Sequence, residues 1–236
     1  MNPYQKLQQR KRTWTPVQTT AGTLRDGSEE TIYRALAMRH MELPVGGFIQ
    51  DALSEIPALS ADLLRSNVKD EENHDLALGY IANALGVDET AEAEAKRLRD
   101  AWEAHPDHTV LKALVAERAI FFVLLPFFRF NGDAGLRTVS ADISRDEQVH
   151  VAANSLVCKE LGLEISPSLD KLRKATINWV MTPLKASTNK YLDKKFWLDA
   201  SDRLMYEGKA PELSDTKRAR MPAFFEHANP NLPQYA

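Results

Sequence analysis

Two short runs place a glutamate and a histidine three residues apart: Glu71-Glu72-Asn73-His74 and Glu147-Gln148-Val149-His150. On a helix, residues three apart share a face, so each pair can reach one interior point. Two more glutamates stand at matching distances upstream. Glu42 precedes Glu71 by 29 residues and Glu117 precedes Glu147 by 30, about one helical hairpin in each case. Read in order, the chain gives Glu, ExxH, Glu, ExxH. Four helices would then bring four carboxylates and two imidazoles to a common interior point, the donor set that holds two metal ions in a helical bundle. Carboxylates with imidazoles suit iron or manganese, whereas zinc usually takes four ligands.

Glu117 argues most strongly for such a centre. It lies between Leu114, Val115, Ala116 and Ala119, Ile120, Phe121, Phe122. An ionised carboxylate in so apolar a helix is costly unless it is paired or bound to metal. An ion pair with Arg118 or Arg145 is the competing reading. Taken alone, His74 reads as a satisfied core histidine, and Glu71 as an exposed charge in the run Lys69 to Asp75. The joint spacing favours the metal pair over these separate readings.

The elements that must position these residues are all helical. Residues 1–27 look irregular. Ser28 is placed to cap a helix with Glu29 and Glu30 in its first turn and the stripe Ile32, Ala35, Met38, Glu42 on one face. Pro44 should kink this helix just after Glu42. A second helix is predicted from Ser60 to Leu85, stopped by Gly86, and a charged amphipathic helix from Glu89 to Ala104, broken at His105-Pro106. A third core helix, apolar nearly all round, spans Thr109 to Phe130 and ends at Asn131-Gly132. The fourth spans Ala134 to Leu161 and ends at Gly162. Two more are expected over Ser168–Ser187 and Leu192–Gly208, followed by an extended tail. The predicted class is all-α, with a four-helix core and satellite helices. The division is an arm at 1–27, a bundle at 28–210 and a tail at 211–236.

Composition sets the outer bounds. Hydrophobic residues make up 44% of the 236 and charged residues 27%, which fits a folded chain rather than a disordered one. A net charge of −3 gives no global attraction to nucleic acid or anionic membrane, and neither is expected as a partner. The basic run Lys6 to Arg12 reads as a solvated arm. Cys158 is the sole cysteine, so no internal disulfide forms. The longest apolar run, Ala119 to Phe128, falls short of the roughly 20 residues a membrane span needs. Met1 to Arg12 lacks the apolar core of a secretory signal, and a cytoplasmic protein is expected.

The run Ile143-Ser144-Arg145-Asp146-Glu147-Gln148-Val149-His150 resembles the I-x-R-D-E-x-x-H motif of ribonucleotide reductase small subunits, members of the ferritin-like di-metal carboxylate proteins. The preceding helix is similar too, with Phe121 four residues after Glu117. Trp14-Thr15-Pro16 resembles an N-terminal Trp-x-Pro of that family, and the stretch from Arg203 through Pro230 is loosely similar to its last helix and Asn-Pro segment. The resemblance covers most of the chain and is strongest over residues 117–150. It implies a ferritin-like bundle in which Glu42, Glu71, Glu117, Glu147, His74 and His150 hold two iron and/or manganese ions. Asp146 would hydrogen-bond a ligand histidine, His74, on the radical-transfer route. Trp14 would relay an electron, unless it is only a packing anchor. Tyr235 would relay the radical to a large catalytic subunit, unless it is only a frayed terminus. The resemblance also implies a homodimer that supplies an oxidising equivalent for ribonucleotide reduction. The chain departs from the family where the usual radical tyrosine is replaced by Leu78; Tyr80 lies two residues on and about 200° round the helix. That departure suits small subunits that keep the equivalent on the metals. It also suits a stand-alone oxidase or oxygenase whose apolar substrate sits near Leu78, Phe121, Leu125 and Ile143. A storage protein of the same fold is a third reading.

Overall fold

The computed structural model describes residues 1–213, and every described element of regular structure is helical. The elements are α1 (Pro3–Gln8), α2 (Glu29–Ala37), α3 (Glu42–Ala52), α4 (Ala61–Leu85), α5 (Glu89–Glu103), α6 (Thr109–Ala116), α7 (Phe122–Asn131), α8 (Ala134–Glu160), α9 (Pro167–Met181) and α10 (Lys194–Glu207). Helices α3, α4, α8 and the α6–α7 pair close a ring. α3 packs on α4, α4 on α8, α8 on α6 and α7, and α6 back on α3. The all-α expectation holds. No described helix is long and apolar enough to cross a membrane.

Most boundaries follow the punctuation in the sequence. Gly86, at φ 89°, ends α4. Asp88 caps α5 by accepting from the Thr90 and Ala91 amides. Asp133 caps α8 through the Leu136 amide and also accepts from Gly22 N at 2.8 Å, which ties the N-terminal arm to the start of that helix. Gly132 is required by close approach, since a Cβ there would meet the Phe128 carbonyl at 2.5 Å. Gly162, at φ 65°, closes α8 as Leu163 N reaches back to the Cys158 carbonyl.

Five expectations need correction. The N-terminal arm is not wholly irregular: Asn2 and Gln5 form a capping box over α1, which buries Tyr4 and Leu7. Ser28 precedes α2 without capping it, because its hydroxyl donates to the Arg25 carbonyl instead. The break near Pro44 comes before Glu42, as a 3₁₀ turn at Met38–Met41. Pro44 then sits in the first turn of α3, where its missing N–H is tolerated. The third core helix is interrupted by a π turn at Glu117–Phe121, with Pro126 inside α7 beyond it. Finally, α9 stops at Met181: Thr182 keeps helical backbone and its N–H reaches the Trp179 carbonyl, but Pro183 has no N–H with which to continue the helix.

Candidate metal centre

Each of the six predicted ligands lies on the ring of helices or on the turn within it. Glu42 opens α3, Glu71 and His74 lie in α4, Glu117 opens the π turn, and Glu147 and His150 lie in α8. All are buried, none more than 1% exposed. Two groups emerge. Glu42, Glu71, His74 and Glu147 each offer a donor atom within 4.8 Å of the others, as do Glu71, Glu117 and His150.

The distances give the centre two halves. His74 Nδ1 is 3.2 Å from Glu71 Oε2, 3.4 Å from Glu147 Oε1 and 3.7 Å from Glu42 Oε2. His150 Nδ1 is 3.0 Å from Glu71 Oε1, 3.7 Å from Glu147 Oε2 and 3.8 Å from Glu117 Oε1. Thus Glu71 and Glu147 each direct one oxygen to each half, while Glu42 and Glu117 serve one half apiece. Both oxygens of Glu42 and of Glu147, Oε1 of Glu71 and Nδ1 of His150 have no hydrogen bond. Buried polar atoms normally find partners, and a cluster of orphans pointing at one place is what metal ligands look like without their ion. Four carboxylates and two neutral imidazoles carry four negative charges, which two divalent cations would balance. The residues therefore fit a pair of metal ions.

The ion pair that competed for Glu117 does not form. Arg145 lies 3.4 Å from Asp142, and Arg118 donates from Nε to the Leu204 carbonyl. Glu117 instead accepts from Asn154 Nδ2 at 2.8 Å. Within the π turn that carries it, the Ala119 carbonyl accepts from the Ser201 hydroxyl of α10 at 2.6 Å, and Arg173 of α9 donates to that hydroxyl at 2.8 Å. Turns of this kind concentrate at functional sites.

An outer layer orients the imidazoles. His74 Nε2 lies 3.3 Å from Asp146 Oδ2, and the half-buried Trp14 donates its indole N–H to the same oxygen at 2.6 Å. The Trp14 ring stacks on His74 with centroids 6.2 Å apart. On the other half, His150 Nε2 lies 2.9 Å from Asp70 Oδ2, and Lys11 pairs with Asp70. A carboxylate only accepts, so each aspartate fixes the proton on Nε2 and leaves Nδ1 facing the centre. The Asp146–His74 contact matches expectation. Asp70, Asn154 and Lys11 were not anticipated. The signal for Asp70 was present, since an aspartate precedes the glutamate of both motifs. Lys11 also corrects the reading of Lys6–Arg12 as a solvated arm.

Comparison with known proteins gave no match: no family model, no curated protein and no solved structure matches this chain. The centre is therefore read from its own chemistry.

Crowded buried charge shifts the titration of these groups. Burial pushes Glu42, Glu117 and Glu147 above the ordinary 4.5, and neighbouring carboxylates add to the effect. Burial acts on Glu71 in the same direction, but its contacts with His150 and His74 outweigh it and hold this carboxyl low. Burial disfavours the charged form of both histidines, yet the surrounding carboxylates overcome it and raise His74 and His150 well above 6.5. Without metal, the cluster keeps protons that a metal ion would displace.

Leu78 is buried at 3% exposure and Tyr80 is partly exposed. Phe121, Leu125 and Ile143 are at most 3% exposed. A cleft of ≈ 500 Å³ lies elsewhere, against Arg118, Phe122, Gln148, Val151 and Leu204. Tyr235 and the tail from residue 214 lie outside the described residues.

Proposed function

We propose that this chain is the small subunit of a ribonucleotide reductase, with Glu42, Glu71, His74, Glu117, Glu147 and His150 holding two iron and/or manganese ions. The observation that carries the reading is the line Trp14–Asp146–His74, which joins a half-buried indole to a ligand imidazole through one carboxylate. A pair of such ions supplies one-electron chemistry driven by oxygen or a reduced oxygen species. The protein does the rest. The ring of helices excludes water, and the unpartnered carboxylate oxygens hold the cations in fixed positions. Asp146 locks His74 in one tautomer and offers an acceptor for the indole proton if Trp14 gives up an electron. With Leu78 in the tyrosine position, no side chain there could carry a tyrosyl radical, so an oxidising equivalent would have to be held by the metal pair that the six residues would bind. A large catalytic subunit receives it, and the working form is a cytoplasmic homodimer.

The alternative, a stand-alone oxidase or oxygenase, needs space beside the metals. The four side chains expected to line that space are buried, and the cleft against Arg118 and Gln148 is lined by other residues.

The test is to load the protein with Fe(II), Mn(II) or both, expose it to oxygen, and record metal stoichiometry and low-temperature EPR beside Glu117→Ala. About two metals per chain with a coupled high-valent signal, both diminished in the variant, are expected. Absence of metal from the wild type overturns the centre itself. Nucleotide reduction with a large subunit should then be abolished in Asp146→Ala while the metals stay bound. Full activity in that variant overturns the transfer route.

A further inference from the structure

The N-terminal arm touches both outer aspartates with residues three apart. Trp14 reaches Asp146, while Lys11 reaches Asp70 and donates to Asn67 Oδ1 at 3.0 Å. The Lys11 and Asp70 side chains are only 10% and 14% exposed, so the pair is largely shielded from solvent, unlike most surface ion pairs. Asn67 lies one helical turn before Asp70 on α4, and the lysine ammonium bridges the two. Asp70 in turn holds His150 at 2.9 Å. The arrangement parallels Trp14–Asp146–His74 with one chemical difference: one aspartate meets a neutral N–H and the other a full positive charge.

From this we infer that Lys11 is a positioning residue for the His150–Glu117 half of the centre. It acts through Asp70, so the arm governs the two halves separately. The inference rests on the metal-binding reading above. Its physical basis is the rigidity of the outer layer. A partly buried carboxylate that loses its cation turns toward water or another donor, and His150 then loses the contact that sets its ring and tautomer. Changes to such outer partners typically weaken metal affinity by about 10–100-fold. Lys11 does not contact Asp146 or His74, so the other half keeps its affinity.

The experiment titrates Co(II) into the full chain under anaerobic conditions, following visible absorption and calorimetric heat, for wild type, Lys11→Met, Lys11→Arg and Trp14→Phe. Two sites per wild-type chain are expected. Lys11→Met should weaken one of them by about 10-fold or more and leave the other within about threefold, with Lys11→Arg restoring most of the loss. The weakened site is assigned by combination. Lys11→Met should lower the remaining affinity in a Glu42→Ala background and not in a Glu117→Ala background. Trp14→Phe should disturb the opposite site. A wild type that binds no Co(II) overturns the metal reading itself. Two intact sites in Lys11→Met, or equal weakening of both with a lower melting temperature, overturn the role of Lys11.

Discussion

Glu42 has two buried oxygens and no hydrogen bond to either, in a neighbourhood that already holds Glu71 and Glu147. Its carboxyl titrates above 4.5, so the folded state holds that proton more tightly than the unfolded state does. The stability this contributes is present below pH 4.5 and is lost as pH rises through the raised value. The raised histidines act in the same direction, keeping their contribution below 6.5 and losing it above. The metal-free protein should therefore melt at progressively lower temperature from about pH 5 upward. Glu42→Gln should flatten that slope and bind one metal fewer, as scans with chelator present would show. Metal affinity should run the other way, rising with pH as protons are displaced, and calorimetry in buffers of different ionisation enthalpy would count the protons released. Glu71, His74, Glu147 and His150 were legible as a cluster because three-residue spacing on a helix is local geometry, Glu117 because its run is apolar, and Glu42 only through its matching distance upstream. Asp70 left a local signal, the aspartate before each motif glutamate, but its partner lies 80 residues away; Lys11 left none, with its partner 59 residues away.

Among the elements, the π turn gives Glu117 its setting, and it is held from outside. Ser201 satisfies the Ala119 carbonyl and is itself held by Arg173, a fully buried side chain that also bonds Asp170 and Asp202. Ser201→Ala removes the hydroxyl that donates to the Ala119 carbonyl and accepts from Arg173 Nη1, at a cost of about 1–3 kcal/mol. A melting temperature lower by several degrees is expected, together with weaker metal binding on the Glu117 side. An unchanged melt would mean that the turn does not need this brace. The sequence revealed the helix but not the turn, because Leu114 to Phe128 is apolar on every side and carries no periodicity from which a slipped register shows. Pro44 misled for a related reason. A proline marks where a helix bends or begins, and only packing decides between the two.

For the whole molecule, the all-α class was readable from helical stripes and stop signals, since Gly, Pro or a capping Asp marks the ends of α4 and α7, both ends of α8 and α10 and the starts of α1, α5 and α9. The closing of α3, α4, α6–α7 and α8 into one ring was anticipated from the ligands rather than from the helices, because only a common interior point explains four spaced glutamates. The docking of the arm was not anticipated. Beyond the short helix α1, which packs on α4 and α8, its contacts come from isolated residues of an extended segment, which leaves no periodic trace. Satellite helices α9 and α10 brace the π turn through Arg173 and Ser201, which was likewise not anticipated.

The two aspartates serve each other's motif: Asp70 holds the histidine of α8 and Asp146 that of α4. Neither motif is complete by itself, and the contacts that complete them span 80 and 72 residues of chain. Closing loops of that length belongs late in folding, after the local helices have formed. The cluster is thus complete only once α4 and α8 have met, and ions bound there as proposed would become a lock on the path backward. Chelator should strip them no faster than the bundle opens, so the rate of metal loss and the rate of unfolding, measured side by side in increasing denaturant, should rise together.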